Sequence, residues 1–277
     1  MQISATIITL NEERNLPRAL DSLDCVDEIV VVDCGSTDRT REMARGYGAH
    51  VVENAWPGYA AQKNFAAARA SHDWILSIDA DEALSEALSA EIMRLKRGEP
   101  GAAGYRFPRR AQYLGRWILH SGWYPDYKLR LYDRRQGAWQ GDYVHESVRV
   151  AGPVETLRGD LLHYTCDALS QHLRTLDRYT TLAAHELRAQ GRRAGPARLL
   201  LAPPWTFLRT YLFQQGFRDG YQGLLISSMA AWYVFLKWAK TLESYQLSAI
   251  SYQPGSQAGG PLPGGVDVSP GRKKAES

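Results

Sequence analysis

Strand-like and helix-like segments alternate from residue 3 to residue 97, and this alternation limits the fold more than any other feature of the chain. Residues 3–10, 28–33, 50–53 and 74–78 are short runs rich in β-branched and apolar side chains. Helical spacing fills the gaps, at 12–23 (Leu16, Ala19, Leu20, Leu23), 36–44, 62–70 and 85–97. Pro17 is tolerated in a first turn, and Ser36, Thr37 and Asp38 offer N-cap chemistry. Such alternation predicts an α/β fold, a parallel sheet with helices on both faces. Open sheets of this kind gather ligands at the carboxyl ends of their strands.

The fourth run ends Ser77-Ile78-Asp79-Ala80-Asp81-Glu82. Two carboxylates one residue apart at a strand end can hold a hard divalent cation against substrate phosphates. The competing reading is that Asp81 and Glu82 open the next helix, where acidic side chains favour the N-terminal dipole. Three further polar clusters follow strands or open a helix: Asn11-Glu12-Glu13, Asp33-Cys34-Gly35-Ser36-Thr37-Asp38 and Gln62-Lys63-Asn64. Asp33 is suited to accept from a base edge or a ribose, and Lys63 to meet a phosphate or a base carbonyl. Each has a plain alternative, a helix cap for Ser36 to Asp38 and a solvated charge for Lys63. Four clusters converging on one sheet edge favour the functional reading.

The remaining 180 or so residues change texture after the turn cluster Gly98-Glu99-Pro100-Gly101. Residues 104–150 are rich in Tyr, Trp and Arg, with strand-like pieces such as 128–132, and read as a mixed or antiparallel continuation of the sheet. Residues 168–190 are helical and 199–242 apolar and aromatic; past Pro254 the chain is Gly, Pro, Ser and charge, expected to be disordered. The expected organisation is a domain at 1–165 that divides at about residue 100 into two halves. A helical region at 166–252 and a tail at 253–277 complete the chain.

A net charge of +3 is too weak to point to nucleic acid. The six arginines between 188 and 218, with no acidic residue among them, are a sharper signal. Three cysteines without metal-type spacing suit a reducing compartment. The N-terminus enters a strand without a basic or apolar leader, so the expected location is the cytoplasm.

The segments Ile7-Ile8-Thr9-Leu10-Asn11-Glu12-Glu13, Ile29-Val30-Val31-Val32-Asp33 with Gly35-Ser36-Thr37-Asp38, and Asp79-Ala80-Asp81-Glu82 together resemble the nucleotide-binding half of inverting family 2 glycosyltransferases. The resemblance implies a GT-A fold with a mixed central sheet and a UDP-sugar donor. It implies that Asp33 contacts the uracil or its ribose, and that Asp79, beside Ala80, meets the ribose and sugar side. Asp81 would ligate Mg²⁺ or Mn²⁺; Leu10, Asn11 and Glu13 would line the nucleoside pocket, with Lys63 near the base. Farther along, Trp123-Tyr124-Pro125-Asp126-Tyr127-Lys128-Leu129-Arg130-Leu131-Tyr132, Val144-His145-Glu146 and Leu162-His163-Tyr164 resemble bacterial lipopolysaccharide-core glucosyltransferases that modify heptose. That resemblance implies glucose as the sugar and a lipopolysaccharide-core or other lipid-linked glycan as acceptor.

Inversion is a single in-line displacement, which needs a carboxylate to take the acceptor proton and positive charge on the departing diphosphate. Glu146 is the candidate base, with Asp142 as rival and a structural pair with Arg149 as the plain alternative. His163 is a candidate second metal or diphosphate ligand, or a core histidine. Lys128 and Arg130 alternate on one strand face and could reach a phosphate. Trp123 and Tyr124 could stack on an acceptor sugar, with His145 beside them, or simply pack in the core. A nucleotidyltransferase, or a transferase for a different surface polysaccharide, is the competing function. Against the former, Asn11-Glu12-Glu13-Arg14 stands where a Gly-rich basic loop would hold a triphosphate.

Residues 223–236 carry no charge over fourteen positions, short of the roughly 20 a spanning helix needs. Basic and aromatic flanks suit a helix lying on an anionic bilayer, here the inner face of the cytoplasmic membrane. A buried helix or a homo-oligomer interface is the alternative.

Overall fold

A computed structural model describes residues 1–141, 146–192 and 195–251, with side chains to residue 243. Asp142, His145 and the tail from residue 252, each of which carries a sequence-based expectation, lie outside the described residues. The strands are β1 (Ile3–Thr9), β2 (Glu28–Asp33), β3 (His50–Glu53), β4 (Trp74–Asp79), β5 (Glu82–Leu84), β6 (Gly104–Tyr113), β7 (Arg116–Trp117), β8 (Asp126–Asp133), β9 (Gly137–Gln140), β10 (Ser147–Val150), β11 (Val154–Thr156) and β12 (Leu161–Cys166). The helices are α1 (Leu16–Asp21), α2 (Thr40–Gly46), α3 (Tyr59–Arg69), α4 (Glu86–Lys96), α5 (Leu169–Ala189), α6 (Pro196–Leu208) and α7 (Gly220–Ser251).

The main sheet runs β3-β2-β1-β4-β8-β6-β12-β5. Its first four strands are parallel; β8 is antiparallel to both β4 and β6, and β12 lies parallel to β6. The sheet is therefore mixed. Strands in the parallel part are buried on both faces because apolar residues occupy both parities. Val31 and Leu76 point into a core shared with Leu16 and Leu20 of α1 and Leu88 and Ile92 of α4. Val30, Val32 and Ile75 point the other way, onto Ala66 and Ala67 of α3 and onto Trp139.

A single closure of the sheet positions the acidic turn. Only two residues separate β4 from β5, yet β5 pairs with β12 at the opposite end of the strand order, with His163 opposite Glu82. The sheet curls until both ends frame the Asp79-Ala80-Asp81 turn. This overturns the reading of Asp81 and Glu82 as a helix start. Glu82 is a strand residue, and the helix begins at Glu86, where the Ser85 hydroxyl caps it by accepting from the Leu88 N–H. The helix expected over 12–23 is also shorter: Asn11 sits at φ 57°, and the Glu12 carbonyl closes a turn with the N–H groups of Asn15 and Leu16 before α1 starts. Asp38 does not cap α2; its Oδ1 holds Thr40 through the backbone N–H and the hydroxyl.

The last third is helical. A π-helical turn (Arg209–Phe213) and a 3₁₀ turn (Gly216–Asp219) join α6 to α7, and α7 packs against both α5 and α6. Residues 223–236 fall inside α7, where Ile226 and Ser227 are buried. Leu224 and Trp232 of the same stretch remain exposed, and exposure is more continuous along α6. Among the described residues, no helix is long and apolar enough to cross a membrane.

Candidate active site

The parallel strands bring Thr9, Asp33 and Asp79 to one edge, since Thr9 pairs with Asp33 and Ile8 with Asp79. A cleft of about 1310 Å³ opens there. Leu10, Lys63, Asp79, Ala80, Asp81, Glu146 and His163 all line it, together with Glu12, Cys34, Trp56, Tyr59, Arg178 and Tyr179.

Asp79 is the most tightly held carboxylate in the cleft. Lys63 Nζ lies 2.9 Å from its Oδ1, and Arg130 Nη2 donates to its Oδ2 at 2.8 Å. Burial opposes ionisation, but these two cations outweigh it and hold Asp79 far below the ordinary carboxylate range. Arg130 also donates to Glu82 Oε1 at 2.9 Å, and Arg109 reaches the same oxygen at 3.3 Å. Trp139 lies beneath both cations, its ring centroid 4.1 Å from Lys63 Nζ and 5.2 Å from the Arg130 guanidinium, so their positions are fixed from the protein side.

Asp81 is held differently. Its backbone carbonyl accepts from the Tyr164 N–H, and its Oδ2 lies 3.2 Å from His163 Nε2. Its side chain, 33% exposed against 31% for Asp79, differs in its partners: among the described residues it faces no Lys or Arg in an ion pair. Among the described residues, no three His, Cys, Asp or Glu side chains could hold a metal ion by themselves. A carboxylate and an imidazole meeting at a cleft wall nevertheless suit a divalent cation whose other positions are filled by diphosphate oxygens and water. Glu146 is linked to this centre through Lys63, whose Nζ lies 3.7 Å from its Oε1.

Several expected contacts fall elsewhere. Asp33 is fully buried and saturated, its Oδ1 accepting from the N–H groups of Gly35 and Ser36 and its Oδ2 from the hydroxyls of Thr9 and Ser36. It shapes the β2 loop and leaves Cys34 to face the cleft. Asn11 and Glu13 stitch the β1 and β2 loops together, through Thr37 and Arg39, and neither lines the cleft. Lys128 pairs with Asp126 at 3.0 Å, and Arg130 with Asp79 and Glu82, so neither is a free phosphate ligand. Tyr124 donates to Asp160, while Trp123 stands edge-on to Tyr113 and lines a separate pocket among the helices. Lys63 is buried against Asp79 rather than extended toward a base.

Glu12, which the sequence places in a polar cluster without a role of its own, and Arg178, which the sequence does not single out, also line the cleft. Burial, with Asp81, Asp38 and Asp79 nearby, raises the Glu12 carboxyl above its ordinary range despite a hydrogen bond from Asn15. Arg178 brings an exposed guanidinium from α5 to the cleft wall. Its place in a long amphipathic helix gives no sign of that role.

The sequence model described as glycosyl transferase family 2 matches residues 4–152, the stretch that builds this cleft up to Glu146 and beyond. The chain belongs to that family. The transferase is 33% identical over 256 residues to the lipopolysaccharide core biosynthesis glycosyltransferase LpsC of Rhizobium meliloti, covering 90% of this chain and 95% of that one. It is 31% identical to an uncharacterized glycosyltransferase of Rickettsia typhi, covering 87% of each. Among solved structures, S. aureus TarS 1-349 matches over 90% of this chain and 92% of that one, at 14% identity and a TM-score of 0.44, a likeness too loose to inform the site. Family membership sets aside the nucleotidyltransferase alternative.

Proposed function

We propose that the enzyme transfers a sugar, with glucose favoured, from a UDP-sugar to a lipopolysaccharide-core or other lipid-linked glycan, with inversion. The observation that carries this reading is the division of labour within Asp79-Ala80-Asp81: Asp79 is locked by two cations, while Asp81 stays open to the cleft opposite His163. Asp79 is placed to orient the ribose side of the donor, with its charge already balanced. Asp81 and His163 would hold Mg²⁺ or Mn²⁺, and the imidazole nitrogen favours Mn²⁺ over the harder Mg²⁺. Such an ion would neutralise charge developing on the diphosphate. Arg178, on the facing wall, is placed to add a charge-assisted hydrogen bond to the same phosphates.

Glu146 serves as base. It takes the proton from the acceptor hydroxyl as that oxygen bonds to the anomeric carbon. The bond from this carbon to the diphosphate oxygen breaks on the opposite face, and its electron pair leaves with UDP. LpsC supports a lipopolysaccharide-core acceptor by its name and its full-length similarity.

The test combines thermal shift with turnover. UDP should stabilise the full chain more with Mn²⁺ than without it. Asp81→Ala should lose that increment and about a thousandfold in turnover, a loss of several kcal/mol of transition-state stabilisation. Full metal-dependent turnover in Asp81→Ala would overturn the metal assignment, and a retained anomeric configuration in the product would overturn the displacement.

A further inference from the structure

The surface of α6 and the turns after it is unlike any other on the molecule. No residue of α6 is buried. Leu200, Leu201, Trp205 and Phe213 are exposed by 69%, 68%, 58% and 70%. Leu201 and Trp205 lie one turn apart on α6, and the Phe213 ring from the π-helical turn comes within 5.8 Å of the Trp205 ring. Large apolar side chains gathered this way exceed the scattered exposure normal for a soluble surface. Arg198, Arg209 and Arg218 are exposed along the same stretch and form no ion pair with a described residue, although Arg198 lies over the Trp238 ring and Arg218 donates to Gln215 Oε1. The sequence from 196 to 218 contains no Asp or Glu.

We propose that α6 and the turns through Phe217 form a wedge that docks the enzyme on an anionic lipid bilayer. The apolar face would enter the acyl–headgroup boundary while the arginines meet lipid phosphates. Charge favours this occupant over a second copy of the chain. A two-fold contact would lay the patch on itself and bring arginines against arginines, with no acid in the segment to offset them. The backbone sets the depth. Pro203 and Pro204 lack N–H groups, so the carbonyls of Leu199 and Leu200 lose their helical partners. Such groups are satisfied in the wet interface and not in the hydrocarbon core. The wedge also has a route to the site: an apolar pocket of about 440 Å³ runs from Thr206 of α6 to Tyr179, which lines the catalytic cleft as well. This inference stands apart from the donor and metal assignments and survives their failure.

Flotation of the full chain with vesicles tests it. The chain should float with vesicles of phosphatidylglycerol mixed with phosphatidylcholine, and less with phosphatidylcholine alone. Arg198→Gln, Arg209→Gln and Arg218→Gln should each weaken binding to the anionic vesicles by about fivefold. The combined variant Leu201→Ser/Trp205→Ser/Phe213→Ser should abolish flotation with an unchanged circular dichroism melt. If that variant fails to fold, the arginine series decides alone. A wild-type chain that floats with neither vesicle overturns the proposal. So does a dimer in light scattering that the apolar variant converts to monomer while flotation is unaffected.

Discussion

Around Asp79, charged side chains are matched to one another; along α6, large apolar side chains stand exposed. Lys63, Arg130, Asp79 and Glu82 form a linked set over Trp139 that Lys63 extends to Glu146, and Asp81, His163 and Arg178 line the cleft outside it. The polar centre is thus preorganised, with its electrostatic cost met before substrate arrives. The wedge is the reverse, a surface left unsatisfied until a partner covers it. Substitutions in the first region should change chemistry and stability, and those in the second should change location only.

The largest expected effect is on chemistry. Glu146→Gln keeps the side chain's size and its place beside Lys63 but cannot take a proton. Turnover should fall by about 10²–10⁴-fold, the usual worth of a positioned general base, while UDP still shifts the melting temperature as in wild type. Near-normal turnover would move the base elsewhere, with Asp142 the first candidate.

Next comes the lock itself. Arg130→Met leaves the buried Glu82 and the partly exposed Asp79 short of a shared cation, and should cost about 3–5 kcal/mol in denaturant unfolding. A loss below about 1 kcal/mol would mean that Lys63 and Arg109 suffice, and that the linked set is looser than its distances suggest. Arg178→Ala should act differently, weakening donor affinity by roughly 1.5–3 kcal/mol, or about 10- to 150-fold, with no change in stability. An unchanged KM for the donor would remove Arg178 from the diphosphate.

The sequence makes some of this legible and hides the rest for physical reasons. An apolar run ending in Asp-x-Asp marks a strand end, and the alternating pattern places that end beside β1 and β2. What pattern cannot supply is pairing across the fold. Lys63 and Arg130 look like substrate cations because nothing local reveals that α3 and β8 deliver them to Asp79. Asp33 looks like a ligand because its four donors come from neighbours only the folded loop assembles. Strand β5 is three residues long, too short for periodicity to register, yet it decides that Glu82 faces Arg130. Composition picks out residues 223–236, whereas exposure in the fold is greatest along α6, because composition finds apolar helices but not which one its neighbours cover. A lone His and a lone Glu carry no spacing signal: His163 stands in a family-like segment, and Glu146 is singled out because it also follows a short strand and a His in an aromatic region.

The smallest expected effect is on acid titration in the sheet region, where several carboxylates are held below their ordinary range. Asp133, at the far end of β8 from the cleft, is the cleanest case. Arg135 donates to it from its backbone N–H, Nε and Nη2, and these hydrogen bonds lower its pKa from 3.8 to about 2. The folded state therefore takes up this proton later than the unfolded chain as pH falls. The stabilisation is complete above about pH 4 and is lost as pH drops toward 2. Because Arg135 is largely exposed and screened, the contribution is on the order of 1–2 kcal/mol. Asp133→Asn should be less stable than wild type at neutral pH by about that amount, with the gap closing between pH 4 and pH 2 in urea melts. A gap that stays constant with pH would mean the side chain's hydrogen bonds, and not its charge, hold the β8 turn.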